Sequence, residues 1–247
     1  MIVVKFGGSL IDNMKIRSKF FSGLIRLFDT HDIILVHGGG NDVNFLLKKF
    51  DLKSKFVDGL RFTDANVINV VEMVLNGKVN GALVNDFVKK GVKAVGISGK
   101  DGNSVICKRI KKVGFVGEPI KINKNLISIL IKNKFLPVMA SIATDIDGNV
   151  VNVNADTFAA SIAVAFGARK LIFLTDVAGV LDVNKNLIKE IRINEIENLI
   201  NNNIIIGGMI PKIKGCAKSV ENGVKEVWIT DDVNGITENI NGTVIKV

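Results

Sequence analysis

Short runs of apolar, often β-branched residues alternate along this chain with longer amphipathic stretches. Six of the runs, Ile2–Phe6, Ile33–Val36, Ala94–Ile97, Leu136–Ala140, Leu171–Leu174 and Glu226–Ile229, are bounded by Gly, Asp or Thr and predict strands buried on both faces. Between them lie helical stripes. Phe20, Phe21, Leu24, Ile25 and Phe28 form one, with Asp12 or Asn13 as N-cap. Val67, Val70, Val71, Val74 and Leu75 form a second, capped by Thr63 or Asp64, and Leu126, Ile127, Leu130 and Ile131 a third, capped by Asn123 or Asn125. This alternation predicts an α/β fold: a three-layer αβα sandwich around a mainly parallel, open central sheet.

Two stretches break the rhythm. Ser104 to Asn123 and Ala143 to Val153 contain Gly-rich turns such as Asp147-Gly148, a hairpin signal. Such hairpins are expected to project from the sheet as a lid over a bound molecule. No run rich in Ser, Pro or like charge divides the chain, so two lobes of one continuous sheet are expected, residues 1–166 and 167–247, meeting near Gly167.

Composition narrows the class. The chain has 247 residues, 47% apolar and 23% charged, ordinary globular values that exclude a disordered or fibrous protein. Cys107 and Cys216 stand far apart with no C-x-x-C pair, so buried thiols in a reducing cytoplasm are expected in place of a disulfide framework or zinc site. No apolar run approaches the roughly 18 to 20 residues of a membrane span, and Met1–Lys5 has no charged leader before an apolar core; neither membrane segment nor secretory signal is expected. The net charge of +9 invites a nucleic-acid partner. Yet only six of the 33 cations are Arg and no basic stripe interleaves with aromatics, so the lysine pairs at 48–49, 89–90 and 111–112 read as solvated surface and no nucleic acid is expected.

The chemistry gathers at strand ends. Lys5-Phe6-Gly7-Gly8-Ser9 follows the first strand and His37-Gly38-Gly39-Gly40-Asn41 the second, each where a helix is to begin. There backbone N–H groups point outward and glycine lets an anion approach them closely. Neither segment is a P-loop or a dinucleotide fingerprint, and either alone also reads as turn chemistry. Asn152-Val153-Asn154-Ala155-Asp156 leads into an expected helix Thr157–Phe166, where Asn and Asp also suit a helix cap. Thr175-Asp176-Val177-Ala178-Gly179-Val180 follows a very apolar strand. In Gly207-Gly208-Met209-Ile210-Pro211-Lys212 a lysine sits in a first helical turn, against the helix dipole, which an anion nearby would explain. Arg61 precedes a helix and can fork onto a carboxylate.

In their order and spacing these segments resemble the amino-acid kinase family, and within it the members that act on N-acetyl-L-glutamate. Gly59 to Asp64 (GLRFTD), Met73 to Asn80 (MVLNGKVN), Gly99 to Gly102, Gly114 to Gly117, Val151 to Asp156 (VNVNAD) and Gly208 to Lys212 extend the resemblance through nearly the whole chain. It implies a carbamate-kinase-like fold and phosphoryl transfer from ATP to the side-chain carboxylate of N-acetyl-L-glutamate. Lys5 and Lys212 would neutralise charge on the transferring group and leaving phosphate, with Asp156 holding both lysines. Gly7, Gly8, Gly39 and Gly40 would supply backbone donors, Arg61 would pair with the α-carboxylate, and Asn152 would hydrogen-bond the acetylated amino acid. Asp176, Val177, Gly179, Val180, Leu181, Ile204, Ile206 and Gly208 would form the nucleotide side. Residues 1–166 would thus bind the acyl amino acid and dimerise, and 167–247 bind ATP. Mg2+ would ride on the phosphates, with no protein metal site. A homodimer insensitive to arginine is implied, because Asp232-Val233-Asn234-Gly235-Ile236 departs from the pattern of many relatives and no helix precedes the first strand. A kinase for a carrier-bound substrate, or a non-catalytic anion-binding protein on the same scaffold, are the alternative readings.

Overall fold

The computed structural model describes residues 1–7, 14–232 and 240–247. Packing groups the chain into two compact units, residues 1–33 with 159–247, and residues 34–158. The units therefore do not follow the expected division near Gly167: the N-terminal strand packs with the C-terminal part of the chain, for a reason visible in its pairing.

That strand, β1 (Ile2–Phe6), is almost wholly buried and leads to helix α1 (Met14–Phe28), where Phe20, Phe21 and Leu24 of the predicted stripe are buried, Ile25 and Phe28 are half buried, and Leu27, outside the stripe, is buried too. Phe20 stacks on Phe6 with ring centroids 4.0 Å apart. The expected caps Asp12 and Asn13 lie outside the described residues.

The second unit begins with β2 (Ile33–His37), α2 (Gly40–Lys49) and the short antiparallel pair β3 (Phe56–Val57) and β4 (Leu60–Arg61). A continuous helical run, Ala65–Val88, follows: α3 (Ala65–Glu72), a π-helical segment (Met73–Val79) and α4 (Asn80–Val88). Asp64 caps it, accepting from the N–H groups of Asn66 and Val67 at 2.9 Å each. This run is long and apolar enough to cross a membrane, which sequence reasoning did not foresee; α4 instead packs on the sheet, the pattern of a core helix. Next come β5 (Ala94–Ser98), β6 (Val105–Arg109), β7 (Gly117–Ile122), α5 (Asn125–Lys132), β8 (Leu136–Ala140), β9 (Ile142–Asp145), β10 (Val150–Asn152) and α6 (Ala155–Ala165). β8 pairs in parallel with both β2 and β5. Ala94 to Ile97, expected to be buried on both faces, is only half buried, with Gly96 exposed. The two expected hairpins exist, β6–β7 and β9–β10, and they pair with each other in a four-stranded sheet of order β10-β9-β6-β7.

The chain returns to the first unit at Ala159, within α6, and continues with β11 (Lys170–Leu174), the hairpin β12 (Val180–Leu181) and β13 (Leu187–Ile188), and β14 (Glu190–Arg192). Helices α7 (Ile196–Asn201) and α8 (Met209–Glu221) precede β15 (Glu226–Thr230) and β16 (Thr243–Lys246). Here the strand order is β14-β16-β15-β11-β1, parallel throughout except where β15 meets β16. Residue for residue, Ile2 to Phe6 lie beside Lys170 to Leu174, which ties the N-terminus to this unit. The mainly parallel α/β architecture is the one the alternation predicted, with strand ends at Phe6, His37, Ala140 and Leu174.

Candidate functional site

In the second unit, three separate stretches of sequence meet at the carboxyl end of β2. His37 ends the strand and Gly38 to Gly40 turn into α2, with Gly39 as a cap that makes no side-chain hydrogen bond. The turn is tight because it is packed from both sides. A Cβ on Gly38 would sit 3.3 Å from the Ala155 Cβ, and one on Gly39 would sit 2.8 Å from Leu75 and 3.0 Å from Val79. Gly38 thus touches the start of α6, where Asn154 is the cap, accepting from the N–H groups of Asp156 at 2.9 Å and Thr157 at 3.1 Å. Asp156 is the acidic residue of that first turn.

Arg61 reaches the same loop from β4. Its Nη2 lies 3.4 Å from the Gly40 carbonyl, its Nη1 donates to the Ser54 hydroxyl at 2.5 Å, and the guanidinium stands 4.8 Å from the Phe56 ring centroid. Ser54 in turn donates to Asn44 Oδ1. Arg61 is buried, 8% exposed, and burial lowers its affinity for the proton. Among the described residues no carboxylate is paired with it, so a buried cation is held by neutral oxygens and a ring face. Such a group gains most from an incoming anion.

Asn152 joins this cluster through Thr63, a residue that sequence reasoning treated only as a cap candidate. The Asn152 amide contacts the Thr63 hydroxyl at 3.5 Å, and that hydroxyl donates to the Arg61 carbonyl at 2.8 Å. The turn at Gly114 to Val116 bolts the two strand ends together: Phe115 N–H donates to Thr63, and Asn152 N–H donates to Phe115. Gly39, Gly40, Arg61, Asn152 and Asp156 therefore belong to one compact unit. Ser54 was missed; Asn154 fills the cap role that the Asn152–Asp156 segment suggested.

The other predicted residues lie in the first unit. Lys5 is near the end of β1, and its Nζ stands 3.8 Å from where a Cβ on Gly7 would be. Gly7 N–H donates to the Leu174 carbonyl at 3.0 Å, setting it beside the end of β11 and Thr175. Gly8 lies outside the described residues. After Asp176 and Val177, both exposed, Gly179 takes φ 154°, where a Cβ would meet Thr243 Oγ1 at 2.5 Å. The Thr243 hydroxyl accepts from Val180 N–H at 2.8 Å and donates to the Ile188 carbonyl at 2.6 Å, clamping the β12–β13 hairpin. Val180 is buried, while Leu181 and Ile206 offer exposed apolar surface and Ile204 is half buried. Gly208 caps α8, and Lys212 sits in its first turn after Pro211, as read from the sequence. Among the described residues no three His, Cys, Asp or Glu side chains gather into a metal-binding group.

Residues 1–231 match the amino acid kinase family model. Over 246 residues the chain is 61% identical to a protein named acetylglutamate kinase from Endomicrobium trichonymphae, covering 100% of this chain and 98% of that one. The solved structure of smu.665 from Streptococcus mutans UA159 matches with a TM-score of 0.87 at 32% identity, over 99% of this chain and 98% of that one. Giardia carbamate kinase, at 15% identity and a TM-score of 0.72 over 99% and 97% of the two chains, shares the fold. With its strand-end glycine loops and a match that runs from the first residue to Asp231, the chain belongs to the amino-acid kinase family.

Proposed function

We propose that this protein transfers the γ-phosphoryl group of ATP to the side-chain carboxylate of N-acetyl-L-glutamate, giving N-acetyl-L-glutamyl 5-phosphate and ADP in arginine biosynthesis. The observation that carries this reading is the 61% identity, across the whole chain, to a protein named acetylglutamate kinase. The buried Arg61 beside Gly38 to Gly40 and Asn152 supports it, as a receptor for the α-carboxylate of a small acidic substrate.

The chemistry needs positioning more than covalent catalysis. A γ-carboxyl group, with an ordinary pKa of about 4.3, is already ionised at neutral pH and needs no general base. Its oxygen forms the new P–O bond as the bond from γ-phosphorus to the β-phosphate oxygen breaks and ADP leaves with that electron pair. In this reading Lys5 and Lys212 neutralise charge on the transferring group and the departing phosphate, and Asp156 holds the lysines. Gly8, Gly39 and Gly40 donate backbone N–H groups, while Gly7, whose N–H is taken by the Leu174 carbonyl, leaves room for the close approach of the anion in place of the expected donor. Asn152 binds the acetylated amino acid, and Asp176 to Leu181 with Ile204, Ile206 and Gly208 receive the nucleotide. In this reading the unit of residues 34–158 serves the acyl amino acid and dimerisation, and the unit of residues 1–33 with 159–247 receives the ATP. Magnesium arrives as part of the nucleotide substrate, which suits its preference for phosphate oxygens and retained waters. A cytoplasmic homodimer completes the proposal: Cys107 and Cys216 are both buried, and light scattering will read the mass.

Purified protein with ATP and a panel of N-acetyl-L-glutamate, free glutamate and a carrier-bound glutamate tests the acceptor, with hydroxylamine trapping the acyl phosphate. Turnover with N-acetyl-L-glutamate is expected. Turnover with the carrier-bound substrate alone would overturn the proposal.

A further inference from the structure

Sequence reasoning assigned His37 and Asn80 no role in the chemistry, yet the fold buries them against each other beneath the glycine loop. His37 is wholly buried and Asn80 is 5% exposed. The Asn80 side-chain nitrogen lies 2.9 Å from His37 Nε2 and 2.9 Å from the Val138 carbonyl. His37 Nδ1 lies 2.8 Å from the Gly38 carbonyl. The proton positions are set by these partners. A carbonyl can only accept, so the amide nitrogen, not its oxygen, must face Val138, and its other hydrogen then points at Nε2. Nε2 is therefore the acceptor, and the ring proton sits on Nδ1, where it donates to the Gly38 carbonyl. Starting from Gly38 gives the same tautomer.

We infer that Asn80 and His37 are positioning residues for the acyl-amino-acid loop: Asn80 locks the imidazole tautomer, and the imidazole fixes the peptide between Gly38 and Gly39. In a trans peptide the N–H points opposite to the C=O, so holding the Gly38 carbonyl sets the direction of the Gly39 N–H. This rests on the assignment of Gly38 to Gly40 to the acyl-amino-acid site.

Two further features converge on the same amide. Gly96 of β5 is paired with Val138, and a Cβ on Gly96 would overlap the Asn80 Oδ1. The strand leaves out a side chain where the amide lies. The π-helical segment ends immediately before Asn80. A π-turn inserts about one residue, turning the downstream helix by roughly 100° relative to an unbroken α-helix. The same segment supplies Leu75 and Val79, which close on Gly39. One irregular turn thus holds the loop by packing at Gly39 and, through Asn80, by hydrogen bonding at Gly38.

Kinetics of Asn80→Ala, Gly96→Ala and the double variant test the inference. Each single change is expected to raise KM for N-acetyl-L-glutamate about tenfold, with KM for ATP within about twofold. The double variant should be no worse than Asn80→Ala, because removing the amide vacates the space a Gly96 methyl needs. His37→Asn keeps a donor at the Nδ1 position and is expected to retain more affinity than His37→Gln, which does not. Amide spectra of the 15N-labelled protein supply a readout independent of turnover: Gly38 to Gly40 resonances should shift in both single variants, and the wild-type His37 ring should show the Nδ1–H tautomer. An unchanged KM, equal effects on both substrates, additive penalties or an Nε2–H ring would overturn the inference. Absence of any turnover with N-acetyl-L-glutamate would instead count against the proposed function, leaving the tautomer and loop shifts to decide this one.

Discussion

At the scale of single residues, Arg61 and His37 illustrate opposite uses of burial. Arg61 keeps its charge in a half-closed setting of hydroxyl, carbonyl and ring, and on the proposed reading an anionic substrate supplies the counter-charge. Truncating one partner of such a pair costs about 2–5 kcal/mol. Arg61→Ala is therefore expected to raise KM for N-acetyl-L-glutamate at least about thirtyfold with KM for ATP nearly unchanged; equal losses on both substrates would count against the assigned contact. Burial acts in the same direction on His37 but ends in a neutral ring, pulling its imidazole from 6.5 down to about 4, against a smaller opposing contribution from the Gly38 carbonyl. Between those pH values the unfolded chain binds a proton that the folded chain refuses. The neutral ring thus contributes stability that is complete above pH 6.5 and is lost as pH falls toward 4, roughly 3 kcal/mol in all. Urea unfolding across that range should show a shallower acid loss for His37→Gln than for wild type. Parallel curves would show that His37 is not the group responsible.

Elements add constraints that no single residue reveals. The β12–β13 hairpin is held by one hydroxyl, Thr243 Oγ1, which bonds to both of its strands. Gly179 is the residue that lets the chain pass it, at a φ of 154° with no room for a Cβ. Gly179→Ala must displace Thr243 or Leu187 and is expected to cost about 1–3 kcal/mol in stability. On the proposed reading it raises KM for ATP more than KM for the acyl amino acid, which steady-state kinetics with each substrate varied will show. The helical run Ala65–Val88 has a similar lesson. The stripe from Val67 to Leu75 is legible at ordinary helical spacing, but the π-helical segment Met73–Val79 is not, because hydrophobic period reports a buried face and says little about one inserted residue. That insertion is the step that turns Asn80 toward His37.

For the molecule as a whole, the proposed transfer depends on two lysines distant in sequence. Lys212→Ala is expected to lower kcat at least about a hundredfold while ATP binding persists. Calorimetric titration with a non-hydrolysable ATP analogue, set beside the kinetics, separates the two effects, and a variant that turns over normally would remove Lys212 from the mechanism. The charge of +9 is spread mainly over surface lysines and says little about this chemistry.

The sequence by itself determined the α/β class, the strand ends and the positions of most candidate residues. The reason is physical: strands buried on both faces must be apolar, and chain reversals at their ends need glycine and helix caps. The family motifs added the roles proposed above for Lys5, Arg61, Asn152, Asp156 and Lys212. Long-range pairing decided the rest, because local pattern does not encode it. The tertiary structure put β1 beside β11 and so moved the N-terminal strand into the C-terminal unit. It joined two separate hairpins into one sheet. It linked Asn152 to Arg61 through Thr63, and seated Asn80 on the space that Gly96 leaves empty. Each of these depends on residues tens of positions apart meeting at one point, and only the packed chain fixes such meetings.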